Sequence, residues 1–170
     1  MRIARILGST LATVVALCSL VARPAQAVGS SWADSLLHLG LSYPASWKIV
    51  LEHGARLKLL APDAAGEFEV IALPAQLGPD ALARQAGATL AGLHCATKVV
   101  RTGGPVGHLG VTGATVTGIC TGSDLGWRLA ITAFDHNGQG ALVRNWLFHA
   151  QRRDAADLAA IVASLVPVGQ

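Results

Sequence analysis

The spacing of apolar residues changes period twice along this chain, and that limits the folds open to it. Between residues 36 and 73 the apolar segments have strand length. They are separated by Tyr43-Pro44-Ala45-Ser46, His53-Gly54 and Ala61-Pro62-Asp63, and closed by Pro74. Such close punctuation predicts hairpins and an antiparallel sheet. Over residues 77–94 the period becomes helical, with Leu82, Ala86, Leu90 and Leu93 on one face. Strand-length segments return at 96–101, 111–121, 125–133 and 140–149. A second helical stretch follows Asp154, with Leu158, Ile161, Val162 and Leu165 at i, i+3, i+4 and i+7. Strands, helix, strands, helix is the order of an α+β layer fold.

Local signals refine this order. Residues 28–35 read as a polar lead-in, either a mobile terminus or a brief helix. Leu37, Leu39 and Leu41 share one face of a strand over 36–43. Pro44 pre-sets the second position of a turn, and Trp47 opens the next strand as a core anchor. Pro79 and Asp80 suit a helix start, by fixed φ and by favourable charge against the macrodipole. Thr102-Gly103-Gly104-Pro105 reads as a turn, and Asp135-His136-Asn137-Gly138 as a hairpin turn. In 140–149, Leu142, Trp146 and Phe148 lie on one face and Val143 and Leu147 on the other. A strand apolar on both faces belongs to a sheet covered by helices on both faces. Trp127 and Trp146 read as core. Asp154 is placed as the N-cap of the last helix, and Pro167 as its end.

The N-terminal residues carry an export pattern. Arg2 and Arg5 precede an uncharged run over 6–22, and Ala25-Gln26-Ala27 has the small–any–small form that signal peptidase reads. Residues 1–27 are therefore expected to be a secretory signal peptide, cleaved after Ala27, leaving one domain over 28–170. The apolar core is too short to cross about 30 Å of hydrocarbon, so no stable membrane anchor is expected after cleavage. Arg2, Arg5 and Arg23 leave with this segment, and ten Lys and Arg then face ten Asp and Glu. The sequence pI of 9.1 thus gives no ground for a nucleic-acid partner.

Two cysteines remain in the mature chain, Cys95 and Cys120. An even count in an exported protein predicts a disulfide. A hairpin centred near Gly107 sets the two opposite each other. A turn at 102–105 would set Cys95 against a residue near 112 and require another strand arrangement. No other constellation carries chemistry. The six histidines at 38, 53, 94, 108, 136 and 149 are scattered, without the close pair that metal sites use, and read as surface or turn residues. Ser123 and Asp124 lack the Gly-x-Ser-x-Gly elbow. Glu67 and Glu69 share one strand face, read as a solvated edge. The glycines at 103, 104, 107 and 110 precede no phosphate-loop lysine. Catalytic, cofactor and metal sites are expected to be absent.

At Leu41-Ser42-Tyr43-Pro44-Ala45-Ser46-Trp47 the chain resembles the PsbP-like superfamily, whose members open with an apolar strand, Tyr-Pro, one or two small residues and Trp. The later helix, the Thr- and Gly-rich strand and the final helix follow in a similar order over nearly all of 28–170. The resemblance implies an α/β/α sandwich used as a scaffold or binding module without a shared catalytic site. It also implies that Tyr43, Pro44 and Trp47 form a structural turn. Together these readings give an expectation. The chain is an exported, non-enzymatic binding or assembly module of the bacterial envelope, periplasmic or secreted, acting through contacts with an envelope protein. The alternatives are a carrier of a small apolar ligand or lipid, in a pocket between sheet and helix, and a small periplasmic hydrolase.

Overall fold

The computed structural model describes residues 29–50, 54–74, 76–120, 127–148 and 152–169. The expected signal peptide and its cleavage point lie outside these residues, as do His53, Ser123, Asp124, His149 and the side chain of Trp127. Two antiparallel sheets are present. β1 (Gly29–Asp34), β2 (Leu39–Pro44) and the C-terminal β10 (Val166–Pro167) form a small sheet in the order β1-β2-β10. The large sheet contains β3 (Lys48–Ile49), β4 (Leu57–Leu60), β5 (Gly66–Ala72), β6 (Cys95–Pro105), β7 (Thr112–Cys120), β8 (Trp127–His136) and β9 (Gln139–Leu147). Their spatial order is β3-β4-β5-β9-β8-β7-β6. The helices are α1 (Pro79–Gly92) and α2 (Arg152–Ala163).

Each helix belongs to its own apolar core. Leu82, Ala86 and Leu90 of α1 pack with Leu129, Ile131 and Ala133 of β8 and with Leu142 and Trp146 of β9. Leu158 and Ile161 of α2 pack with Leu39 and Leu41 of β2, Phe68 and Val70 of β5, and Val143 of β9. Neighbours on β9, Leu142 and Val143, thus enter different cores, as the alternation of a strand requires. The Asn137-Gly138 turn after β8 has both residues at positive φ, 50° and 78°, the backbone of a two-residue type I′ hairpin.

Several expectations are corrected. Residues 29–34 form a strand, because their backbone groups pair with β2 from Gly29↔Pro44 to Asp34↔Leu39. The Tyr-Pro turn does not close a hairpin: β2 pairs with β1 and β10, while β3 pairs with β4. The hydrogen bond from Trp47 N to Pro44 O, 2.9 Å, makes Pro44 the first residue of that turn rather than its second. Thr102-Gly103-Gly104-Pro105 is strand. β6 runs through it with a register shift at Thr102/Gly104, where Gly103 takes φ 75°. Asp154 lies within α2 and is buried, and Leu165 leads into β10, where Pro167 pairs with Leu39.

The carboxylates of β5 also differ from expectation. β5 is an interior strand, and Glu69 is 1% exposed. Its carboxylate is held by Arg144 of β9 and lies 3.4 Å from Lys58 Nζ, which is 3.2 Å from Glu67. A buried carboxylate is tolerable because two cations compensate its lost hydration.

Candidate functional groove

The Tyr43-Pro44-Trp47 motif is buried structure. Trp47 is 3% exposed and Tyr43 8%, both in the α2 core. The indole Nε1–H donates to Asp157 Oδ2 at 3.1 Å, tying the turn to α2. Cys95 and Cys120 face each other at the start of β6 and the end of β7 and are joined by a disulfide. The hairpin between those strands turns at residues 106–111, centred as the first of the two sequence alternatives has it. The bridge closes one end of this edge hairpin.

The histidines are not brought together into a catalytic or metal arrangement. His38 Nδ1 lies 2.8 Å from Gly169 O, and His94 and His108 are exposed. His136 differs from the expected surface residue: it is 5% exposed, and burial lowers its pKa, with a smaller opposing effect from a hydrogen bond to the His38 backbone. The hydrolase alternative requires a Ser–His or Cys–His contact, and none forms among the described residues. Nor does any group of three or more His, Cys, Asp or Glu side chains there suit a metal ion. No helix among them is long and apolar enough to cross a membrane.

An open groove of about 470 Å³ lies between α2 and the β6–β9 part of the large sheet. Two rows of cross-strand neighbours make its floor. Ile119, Arg128 and Leu147 are in register across β7, β8 and β9, and Thr117, Ala130 and Asn145 form the adjacent row. Ala155, Leu158 and Ala159 of α2 make the wall. The small side chains at 130, 155 and 159 leave the space between helix and sheet unfilled. Asn145 Oδ1 is buried there without a hydrogen-bond partner. Such an atom loses its water without compensation.

The groove carries one sign of charge. Lys98 and Arg128 line it, and among the described residues no carboxylate does. Lys98 falls at the register shift between Thr97 and Val99, where β6 has one residue more than β7. Bulges of this kind re-aim side chains, and here the extra residue joins the groove lining. Neither cation has a carboxylate partner among the described residues. A pocket between sheet and helix was among the alternatives the sequence offered, but its residues were not, because its rows are assembled from three strands. The available signal was the run of small residues on α2, Ala155, Ala156, Ala159 and Ala160.

No protein-family model matches the chain, and no curated protein sequence does. Solved structures do. Cyanobacterial PsbP (CyanoP) of Synechocystis is similar at 12% identity and TM-score 0.61, over 82% of this chain and 92% of that one. LpqN of Mycobacterium tuberculosis, described as involved in cell envelope biogenesis, is similar at 12% identity and TM-score 0.54, over 84% and 86%. A Bacteroides thetaiotaomicron protein gives 14% identity and TM-score 0.58, over 84% of this chain. This chain spans about half of that protein, 49% of its length. The order of strands and helices expected from the Tyr-Pro-Trp motif is therefore that of a known architecture, and the fold is PsbP-like.

Proposed function

We propose that this chain is an exported, non-enzymatic binding module of the bacterial envelope, with α1 and α2 covering opposite faces of the sheet. Its binding site is the groove beside α2, which holds a small apolar ligand. The carrying observation is the groove itself: about 470 Å³, walled by Ala, Leu and Ile side chains, with one buried acceptor, Asn145 Oδ1, lacking a donor. That volume lies within the roughly 300–1,000 Å³ of small-molecule sites. An apolar lining with few polar groups is the usual composition of such sites. The likeness to LpqN, a protein of envelope biogenesis, supports the compartment, as does the Ala25-Gln26-Ala27 pattern.

A second reading has its own observation. β6 is an edge strand on which Val99 and Val100 are 43% and 56% exposed. An open edge of this kind can recruit an extended segment of a protein partner. Native mass spectrometry of protein purified from a bacterial periplasm tests both. The ligand reading expects an N-terminus at Val28 and a fraction of molecules carrying a small-molecule adduct that organic extraction removes. Only bare protein, together with a protein partner lost on substituting Val99 and Val100 by Ser, would overturn it in favour of the edge.

A further inference from the structure

We infer that the ligand of the groove is an anionic amphiphile: one apolar chain bearing a phosphate or carboxylate head. The inference rests on the groove being the binding site and adds the chemistry of what it takes. Lys98 and Arg128 arrive from different strands, one by a bulge in β6 and one from the register row Ile119–Arg128–Leu147. Both line the groove, and among the described residues no carboxylate lines it beside them. Two cations without a carboxylate partner among the described residues, beside an apolar trough, match a molecule with a negative head and an apolar tail. Arg56, Lys58 and Arg144, by contrast, are paired with carboxylates, in Arg56–Asp34, Lys58–Glu67 and Arg144–Glu69.

The size of the site narrows the tail. About 470 Å³ sits low in the range of small-molecule pockets, and the floor is only two residue rows deep. That suits one chain rather than a pair. Arg128 shares its row with Ile119 and Leu147, so the head meets a cation where the apolar floor begins. The guanidinium can bind phosphate or carboxylate through two parallel hydrogen bonds, and the lysine adds a point charge.

Isothermal titration with four ligands below their micelle concentrations tests this. Dodecyl phosphate and laurate share the tail and differ in the head, separating phosphate from carboxylate sources. Dodecyl maltoside is the neutral control and dodecyltrimethylammonium the cationic one. The expected result is that the better anion binds about tenfold or more tighter than the maltoside at low salt, since charge-assisted hydrogen bonds are worth that much. The gap should narrow with added salt because both cations are exposed. Replacing Lys98 and Arg128 together by Gln should erase the gap, so that the variant binds anion and maltoside alike. An Ala159→Trp variant, which fills the groove, should abolish binding of all ligands while keeping the parent's melting temperature. Equal binding of anion, neutral and cation, still lost in Ala159→Trp, overturns the anionic inference and leaves the groove in place. Binding unaffected by Ala159→Trp, or none of any ligand, overturns the groove reading itself.

Discussion

Replacing Trp47 measures how much of this fold the Tyr-Pro-Trp turn holds together. The indole is 3% exposed and shares a core with Leu57, Leu59, Ala61 and Leu158. Its ring packs so tightly that a Cβ added at Gly66 would lie 3.0 Å from it. Truncation leaves a cavity between the turn, β5 and α2. A buried Trp covers about 150–250 Å², which at ~25 cal/mol per Å² is roughly 4–6 kcal/mol of transfer free energy. Partial collapse of the site returns some of it, so Trp47→Ala should cost about 3–5 kcal/mol. Trp47→Phe keeps most of the volume and loses the hydrogen bond to Asp157. Because Asp157 is partly exposed and rehydrates, that loss should be about 1 kcal/mol. Urea unfolding followed by far-ultraviolet circular dichroism reads both. With a slope of about 2 kcal/mol/M for a domain of this size, Trp47→Ala should lower the midpoint by roughly 2 M. A Trp47→Ala midpoint matching the parent, with ligand binding lost, would refute the structural role and make the turn a site.

Three further perturbations probe other parts of the fold. Gly107 has φ 51°, and an added Cβ would fall 2.7 Å from Leu165 O and 2.9 Å from Val162 O, whereas Gly138 at φ 78° has open space. Gly138→Ala should therefore cost only the left-handed backbone penalty of about 1–2 kcal/mol, and Gly107→Ala measurably more by thermal melts; equal costs would contradict the close approach of this turn to α2. Replacing Cys95 and Cys120 together by Ser should lower unfolding free energy by about 3–4 kcal/mol for a loop of this size. Asp154 has its pKa raised by burial first, then by the charges of Asp63 and Asp157. Its folded state therefore holds the proton more tightly than the unfolded chain. Stability falls as pH rises from the unfolded value near 3.9 through the folded one, and stays lower at neutral pH. Asp154→Asn should melt above the parent at pH 7, with the gap closing toward pH 4; a gap that widens on acidification would contradict the sign.

The residues that spoke plainly in the sequence are those whose neighbours are local. Leu82, Ala86 and Leu90 form the buried stripe of α1 as their spacing requires, and Leu129, Ile131 and Ala133 share one face of β8. Asn137-Gly138 makes its turn because its own backbone decides it. The misread stretches depend on distant partners. Residues 29–34 look like a polar lead-in until β2 pairs with them, and Val166-Pro167 looks like a helix end until it meets Gly40 and Leu39. Thr102-Gly103-Gly104-Pro105 has turn composition, yet pairing with β7 carries it on as a bulged edge strand. Glu69 reads as solvated because Arg144, its partner, is 75 positions away. The groove was hidden for the same reason. Ala130, Ala155 and Ala159 are unremarked small residues in sequence, and become a trough only when α2 crosses the sheet.

The most direct test of the groove as the binding site is a nuclear magnetic resonance titration of uniformly ¹⁵N-labelled protein spanning residues 28–170 with dodecyl phosphate. The shifted backbone amides should be those of Lys98, Thr117, Ile119, Arg128, Ala130 and Asn145, with Ala155 and Ala159 of α2, while α1 and the small sheet stay still. Shifts concentrated on α1 or around Tyr43, with the β6–β9 rows unmoved, would contradict the account.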